Sequence, residues 1–176
     1  MNLRISPEDL TREWSLSFSD IEFVNAKPLG LKLGLAVQLK FFAVHGYFVT
    51  TATEVPEDAI SYVANQLGIG KADLGGYDFL GRSGRRHCAE ILCHLDFRRM
   101  KRADRAALAD WMATEFCPGG TSVTAMREAV FLWCRDHRIF GPSAEEMERL
   151  VRSERQRFLE TFLGSVANQL LPERWR

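Results

Sequence analysis

Apolar side chains recur at helical spacing along almost the whole chain. Residues 31–43 are apolar nearly all the way round a helical projection, with one stripe made of Leu31, Leu35, Leu39 and Phe42. A helix with so little polar surface is typical of the centre of a bundle, and we expect Gln38 and Lys40 to point outward at its rim. Other segments carry a single apolar stripe, as helices around such a centre do. The pattern predicts an all-α fold, a multi-helix bundle, and leaves a helix-turn-helix-like arrangement open.

Capping signals place the helix starts between these stripes. Ser6-Pro7-Glu8-Asp9 and Ser19-Asp20-Ile21-Glu22 predict two short helices near the N-terminus, with Trp14 among their core anchors. Ser122 is predicted to cap a later helix, and Ser143-x-x-Glu146 has the pattern of a capping box. Residues 47–50 are the one β-like run, too short to build a sheet.

The last helix is expected to be long, running from Ala144 to about Leu171. Residues 152–157 contain no apolar side chain, and an apolar set follows them: Phe158, Leu159, Phe162, Leu163, Val166 and Leu170. A polar neck of this kind indicates a helix that leaves the domain body and packs on something else. We therefore expect a helical domain over residues 1–142 and a long C-terminal helix over residues 143–176 that leads to downstream domains.

The chain is neutral overall, with 23 basic and 23 acidic residues, but its positive charge is concentrated in one segment. Residues 81–105 contain 8 basic residues against 3 acidic ones. Within this segment Ser83 is the expected N-cap of an amphipathic helix, whose apolar stripe is Cys88, Ile91, Leu92 and Leu95. Arg85 and Arg86 would lie in the first turn, where cations oppose the helix dipole.

Two interpretations of this segment are open. Guanidinium groups beside free backbone N–H groups form an anion site, and phosphate is the commonest biological anion. A second basic cluster, residues 98–102, follows about 20 Å along the helix, a separation that suits phosphates flanking a groove. Alternatively, the segment is a solvated charged face in which Arg86 pairs with Glu90 at i, i+4.

Other classes of function find little support in the sequence. No run approaches the ~18 apolar residues of a membrane span and no signal peptide is found, so we expect a cytoplasmic protein. The cysteines form no CxxC pair, and zinc-site spacing is lacking in the set His87, Cys88, Cys93, His94, Cys134 and His137. No catalytic carboxylate set, nucleophile–base pair or glycine-rich phosphate loop stands out. We therefore expect no catalysis, no metal and no cofactor.

Five stretches in a specific order carry a family resemblance: ISPEDLTREWSLSFSDIEFVN (5–25), LGLAVQLKFF (33–42), GYFVTTATEVPEDAISYVANQLGI (46–69), YDFLGRSGRRHCAEI (77–91) and ERLVRSER (148–155). In them the sequence resembles the N-terminal domain, DUF4158, of Tn3-family transposases. The resemblance implies a helical region that binds double-stranded DNA and recognises the terminal inverted repeats of a transposon. In full-length family members, further DNA-binding and dimerisation helices follow, and then a metal-dependent DDE catalytic domain with an RNase-H-like fold.

The resemblance favours the anion-binding interpretation of the basic segment. It implies contacts to DNA phosphates or base edges by Arg82, Arg85, Arg86 and His87. The flanking DNA backbone would be held by Arg98, Arg99, Lys101 and Arg102. Strand cleavage and joining are not assigned to this chain, because the DDE domain is not part of it. Two alternatives stay open: a protein-interaction module that forms a homodimer through the C-terminal helix, and an inactive transposase remnant.

Overall fold

The computed structural model describes residues 5–115, 122–141 and 143–170. Within these ranges the chain forms the helices α1 (Pro7–Trp14), α2 (Phe18–Asn25), α3 (Leu29–His45), α4 (Glu57–Leu67), α5 (Arg82–His94), α6 (Arg102–Glu115), α7 (Val123–Asp136) and α8 (Ala144–Leu170). The remaining regular elements are two 3-10 turns, Ala52–Glu54 and Lys71–Gly76, and two paired strands, β1 (Arg98–Arg99) and β2 (Ile139–Phe140). The all-α prediction and the long last helix are confirmed. The chain divides into two compact units after Arg98.

The first unit is built around α3. Seven consecutive residues of α3, 33–39, are buried, because α1, α2, α4, α5 and the turn at Lys71–Gly76 all pack against it. Trp14 is buried beside this helix, with its ring edge-on to Phe41. The expectation that Gln38 points outward is wrong: its side chain is fully buried and its amide has no hydrogen-bond partner among the described residues. Lys40 keeps partial exposure, and burial lowers its pKa against the opposing attraction of Asp20.

Local signals account for the ends of these helices. The Ser6 side chain accepts the N–H of Asp9, as predicted. The second cap is Ser17 rather than Ser19: its Oγ accepts the N–H of Asp20, and the Asp20 carboxylate accepts the N–H of Ser17. Gly46 ends α3 at φ 78°, a left-handed conformation that glycine adopts without penalty. Residues 47–50 follow in irregular backbone, so their β-like pattern does not produce a strand.

The second unit has its own core, in which α6, α7, β2 and the start of α8 meet. Its buried members are Leu108, Met112, Met126, Val130, Phe131, Cys134, Ile139, Met147 and Val151. Ser122 caps α7, and the capping box at Ser143 and Glu146 is present, as predicted. The expected boundary at residues 142/143 does not coincide with the observed division after Arg98, because Met147 and Val151 place the start of α8 inside this core.

Beyond this core, α8 presents apolar side chains to solvent. Leu159, Phe162 and Leu163 are all exposed, and the rings of Phe158 and Phe162 stack on each other. The side chain of Leu170, and Leu171 itself, lie outside the described residues. Among the helices that the structure describes, none combines the length and the apolar character that a membrane crossing requires.

Candidate nucleic-acid interface

The start of the basic helix α5 is set by a turn rather than by a serine cap. The Asp78 carboxylate accepts the N–H groups of Leu80 and Gly81, at 3.1 and 2.8 Å, and Gly81 occupies the N-cap position. Ser83, the predicted cap, therefore lies inside the first turn. Residues 68–81 separate α4 from α5, so this pair lacks the turn of about 3–4 residues that defines a helix-turn-helix.

One side of α5 is buried against the first unit. Its buried residues are Gly84, His87 and Ile91, at i, i+3 and i+7. A methyl group on Gly84 would overlap the carbonyl oxygen of Phe79, so glycine allows the first turn of α5 to lie directly on the preceding backbone. The predicted DNA contact of His87 is not compatible with this structure, because the His87 side chain is fully buried.

His87 instead holds α5 to the chain segment before it. Nδ1 of His87 lies 2.8 Å from the Tyr77 hydroxyl, and the two rings stack at 5.7 Å between centroids. Burial lowers the pKa of His87 and raises that of Tyr77. The imidazole is therefore neutral at neutral pH, and its Nδ1 shares a buried hydrogen bond with the Tyr77 hydroxyl. Nε2 of His87 has no partner among the described residues.

The C-terminal half of α5 is held to α2. Nε2 of His94 donates to the Asp20 carboxylate at 2.8 Å, and the Phe23 ring stacks on the imidazole at 4.4 Å. Burial would raise the pKa of Asp20, but hydrogen bonds from His94 and Ser17 bring it below its ordinary value. Lys27 adds an ion pair to Glu90 at 2.9 Å. These contacts set the rotation of α5 about its axis.

The opposite side of α5 faces solvent and carries three arginines. Arg82, Arg85, Arg86, Ala89 and Cys93 are all exposed, and their spacing of i, i+3, i+4, i+7 and i+11 places them on one face. Arg82 and Arg85 make no ion pair with any residue that the structure describes. Arg86 lies 3.8 Å from Glu90, whose closer partner is Lys27. Past the arginines this face is lined by small side chains.

Leu80 is an exposed apolar residue beside these arginines that sequence reasoning missed. It is 60% exposed, and the Asp78 turn fixes its backbone two residues before Arg82. The available signal was Asp78 followed three residues later by Gly81, a turn pattern that displays the residues between them.

The predicted basic residues of the second cluster lie around the start of α6. Arg98 and Arg99 form β1, and Lys101 directly precedes α6, which begins at Arg102. The backbone N–H of Lys101 donates to the Asp104 carboxylate. All four side chains are exposed. Arg98 is the last residue of the first unit, and the other three belong to the second.

The described part of the chain contains no metal-binding cluster of thiols, imidazoles and acids. No group of three or more His, Cys, Asp and Glu side chains within the described ranges could hold a metal ion. Burial raises the pKa of the Cys88 thiol to about 11 and that of Cys134 to about 12, so both stay protonated near neutral pH. Cys117 lies outside the described residues.

Comparison with known proteins gives the family. Residues 2–153 match the family described as "Domain of unknown function (DUF4158)". The transposase for transposon Tn1546 of Enterococcus faecium is 26% identical over 175 residues, which cover 95% of this chain and 17% of that protein. The transposase for transposon Tn501 of Pseudomonas aeruginosa is 30% identical over 104 residues, or 58% of this chain and 10% of that protein. The chain thus belongs to the DUF4158 family and is distantly similar to the N-terminal region of Tn3-family transposases.

Proposed function

We propose that this chain is a non-catalytic DNA-binding module that recognises the terminal inverted repeats of a transposon. The observation that carries the proposal is the outward face of α5, where Arg82 and Arg85 are exposed and lack an ion-pair partner among the described residues. Cations in the first turns of a helix oppose its dipole, so an external anion relieves a local repulsion. The relatives that this chain resembles are transposases, which supports DNA as that anion.

The shape of α5 suits insertion into the major groove. Recognition helices place their N-terminal residues against base edges, and the arginines of α5 lie in its first turns. Ala89 and Cys93 continue the same face with short side chains that would not hold the helix away from the groove floor. Arg82 and Arg85 are thus suited to bidentate contacts with guanine, and Arg86 to a phosphate. Arg98, Arg99, Lys101 and Arg102 are assigned to backbone phosphates.

The test is DNA selection followed by titration. The protein is used to select duplexes from a randomised pool, and the selected duplex is compared with a shuffled one by fluorescence anisotropy at several salt concentrations. Binding should weaken steeply with salt, because bound arginines release counterions from DNA. Recovery of no common motif from the pool would contradict the proposal.

A matched pair of variants tests the assigned face. Arg82→Ala/Arg85→Ala should weaken binding to the selected duplex by about 1–3 kcal/mol for each guanine that is no longer bound. The control is Arg12→Ala/Lys71→Ala, which removes the same charge from exposed side chains elsewhere in the first unit. Those two residues form exposed ion pairs, whose removal costs little stability. If the two pairs of substitutions weaken DNA binding equally, the effect is one of overall charge, and Arg82 and Arg85 do not form the specific contact site.

The exposed apolar face of α8 favours a second candidate function, dimerisation. Leu159, Phe162 and Leu163 form a stripe that a second copy of this chain would cover. Sedimentation velocity on the wild type should show a dimer, and Phe162→Glu should convert it to a monomer. A wild type that stays monomeric at high concentration would exclude this function.

A further inference from the structure

Three arginines from separate elements of the second unit line one open, polar groove. One part of it, with a volume of about 300 Å³, is lined by Arg99, Met100, Arg105, Phe140, Ser143 and Glu146. The other part, of about 360 Å³, shares Arg105 and Glu146 and adds Arg149, Leu150 and Ser153. The arginines come from β1, α6 and α8, so this grouping arises from tertiary structure and not from one charged helix face.

The single acid among the described residues that line the groove, Glu146, is already hydrogen-bonded to Ser143, the residue directly before α8. The Glu146 carboxylate accepts the backbone N–H and the hydroxyl of Ser143, at 3.0 and 3.1 Å. These hydrogen bonds lower the pKa of Glu146, and the charges of Arg149 and Arg105 lower it further. Glu146 is therefore ionised at neutral pH, but its one carboxylate does not balance the guanidinium groups of both Arg105 and Arg149. The lining of the groove keeps a net positive charge.

We propose that this groove binds the phosphodiester backbone of duplex DNA, with Arg105 and Arg149 contacting phosphates and the Ser153 hydroxyl as a further donor. The proposal rests on the DNA-binding function above and adds a second contact region to it. Both parts of the groove open to solvent, as contact with a polyanion requires, and its arginines offer the planar donors that pair with phosphate oxygens. Contacts of this kind position a protein on DNA without reading sequence.

The experiment measures affinity against salt concentration for Arg105→Ala/Arg149→Ala in the full chain. Both the selected and the shuffled duplex should bind at least about tenfold more weakly, and by the same factor, at roughly physiological salt. The slope of log affinity against log salt should become less steep by about 2, one unit for each phosphate that is no longer neutralised. Arg105→Lys/Arg149→Lys should keep most of the slope, since it keeps the charge.

Two controls make the outcome decisive. Arg152→Ala/Arg157→Ala removes the same charge from exposed positions of α8 that do not line the groove, and should leave the slope nearly unchanged. Arg105→Gln/Arg149→Gln repeats the test with side chains that keep hydrogen-bonding capacity, should the alanine pair lower the melting temperature. If the wild type binds DNA but the alanine and glutamine pairs both keep its salt slope, this inference is overturned and the proposed function is not. Failure of the wild type to bind either duplex would overturn the proposed function and this inference with it.

Discussion

Gly34 and Tyr77 lie in direct contact: a methyl group placed on Gly34 would overlap the Tyr77 ring. Because α3 has no side chain at this position, the buried ring can approach the helix backbone directly. Tyr77 in turn presents its hydroxyl to His87 on α5. A glycine in the central helix thus determines where the basic helix is anchored.

Gly34→Ala should therefore destabilise the first unit by about 1–3 kcal/mol, the usual cost of overpacking a core. The measurement is the free energy of unfolding from urea titration. Gly30→Ala is the matched control on the same helix, since no described atom lies within 4 Å of a methyl group there. It should be neutral or stabilising by up to about 1 kcal/mol, from better helix propensity. Equal effects of the two substitutions would show that the ring does not rest on Gly34.

Stability should fall as the solution becomes mildly acidic, because burial lowers the pKa of His87 below its ordinary value of 6.5. The native state keeps His87 neutral, whereas the unfolded chain takes up a proton as pH drops through that ordinary value. Glu90 opposes this shift, and Arg86 and Lys27 support it. Stabilisation is therefore fully present above the ordinary value of 6.5 and is lost progressively as the pH falls below it, through the lowered pKa of the native state.

His87→Gln isolates the contribution of this residue. Glutamine can accept the Tyr77 hydroxyl but does not titrate, so the fall in unfolding free energy between about pH 7.5 and pH 5 should become shallower. The lowered pKa of Asp20 acts in a lower range, below its ordinary value of 3.8, and does not confuse the comparison. Parallel pH profiles for the wild type and the variant would refute the assignment to His87.

Cys93 provides a test of the DNA-facing side without any mutation. It is an exposed thiol on the same face of α5 as Arg82 and about 16 Å further along the helix. A saturating concentration of the selected duplex should slow the alkylation of Cys93 by iodoacetamide. The reaction is monitored by mass spectrometry of the peptide that contains Cys93. Cys134 is buried and should react slowly with and without DNA. An unchanged Cys93 rate on a DNA-bound protein would place the interface elsewhere.

Leu80 should contribute to sequence preference through apolar contact with a thymine methyl group. Leu80→Ala is expected to weaken binding to the selected duplex by about 1 kcal/mol, part of the ~1.5–3 kcal/mol of a fully buried leucine. Binding to the shuffled duplex should change less. Leu29→Ala is the control, since Leu29 is 63% exposed in the same unit, compared with 60% for Leu80. If both variants bind like the wild type, Leu80 does not touch DNA.

Features that depend on residues close in sequence could be predicted, and those that depend on distant partners could not. The Ser6 cap and the Ser143–Glu146 box are local, so short patterns were enough to predict them. The interior position of α3 followed from its composition. The burial of His87 did not, because it requires the Tyr77 ring on Gly34 and a turn that brings the first turn of α5 onto Phe79. A run of two arginines and a histidine is typical of a protein surface. Here Arg85 and Arg86 are exposed, but His87 lies on the buried side of α5.

The burial of Gln38 and the position of the groove also depend on residues that are distant in sequence, so neither could be predicted. A glutamine in an apolar helix is expected at the rim, but α3 is enclosed by elements from several parts of the chain. Arg105 and Arg149 are far apart in sequence, and only the packing of α6 against α8 brings them to one groove. The division after Arg98 could not be predicted from the sequence either. The polar neck of α8, residues 152–157, suggested a boundary near the start of that helix, but Met147 and Val151 precede the neck and are buried in the core of the second unit.

The first turns of α8 serve two surfaces at once, and this restricts how the gene can vary there. Met147 and Val151 point into the core, while Arg149 and Ser153 line the groove on the other side. Each residue added to or removed from a helix turns everything beyond it by about 100°. A one-residue insertion between positions 147 and 153 would therefore turn either the buried side chains away from the core or Arg149 and Ser153 away from the groove. We expect naturally occurring relatives to exchange side chains in this stretch but to keep its length.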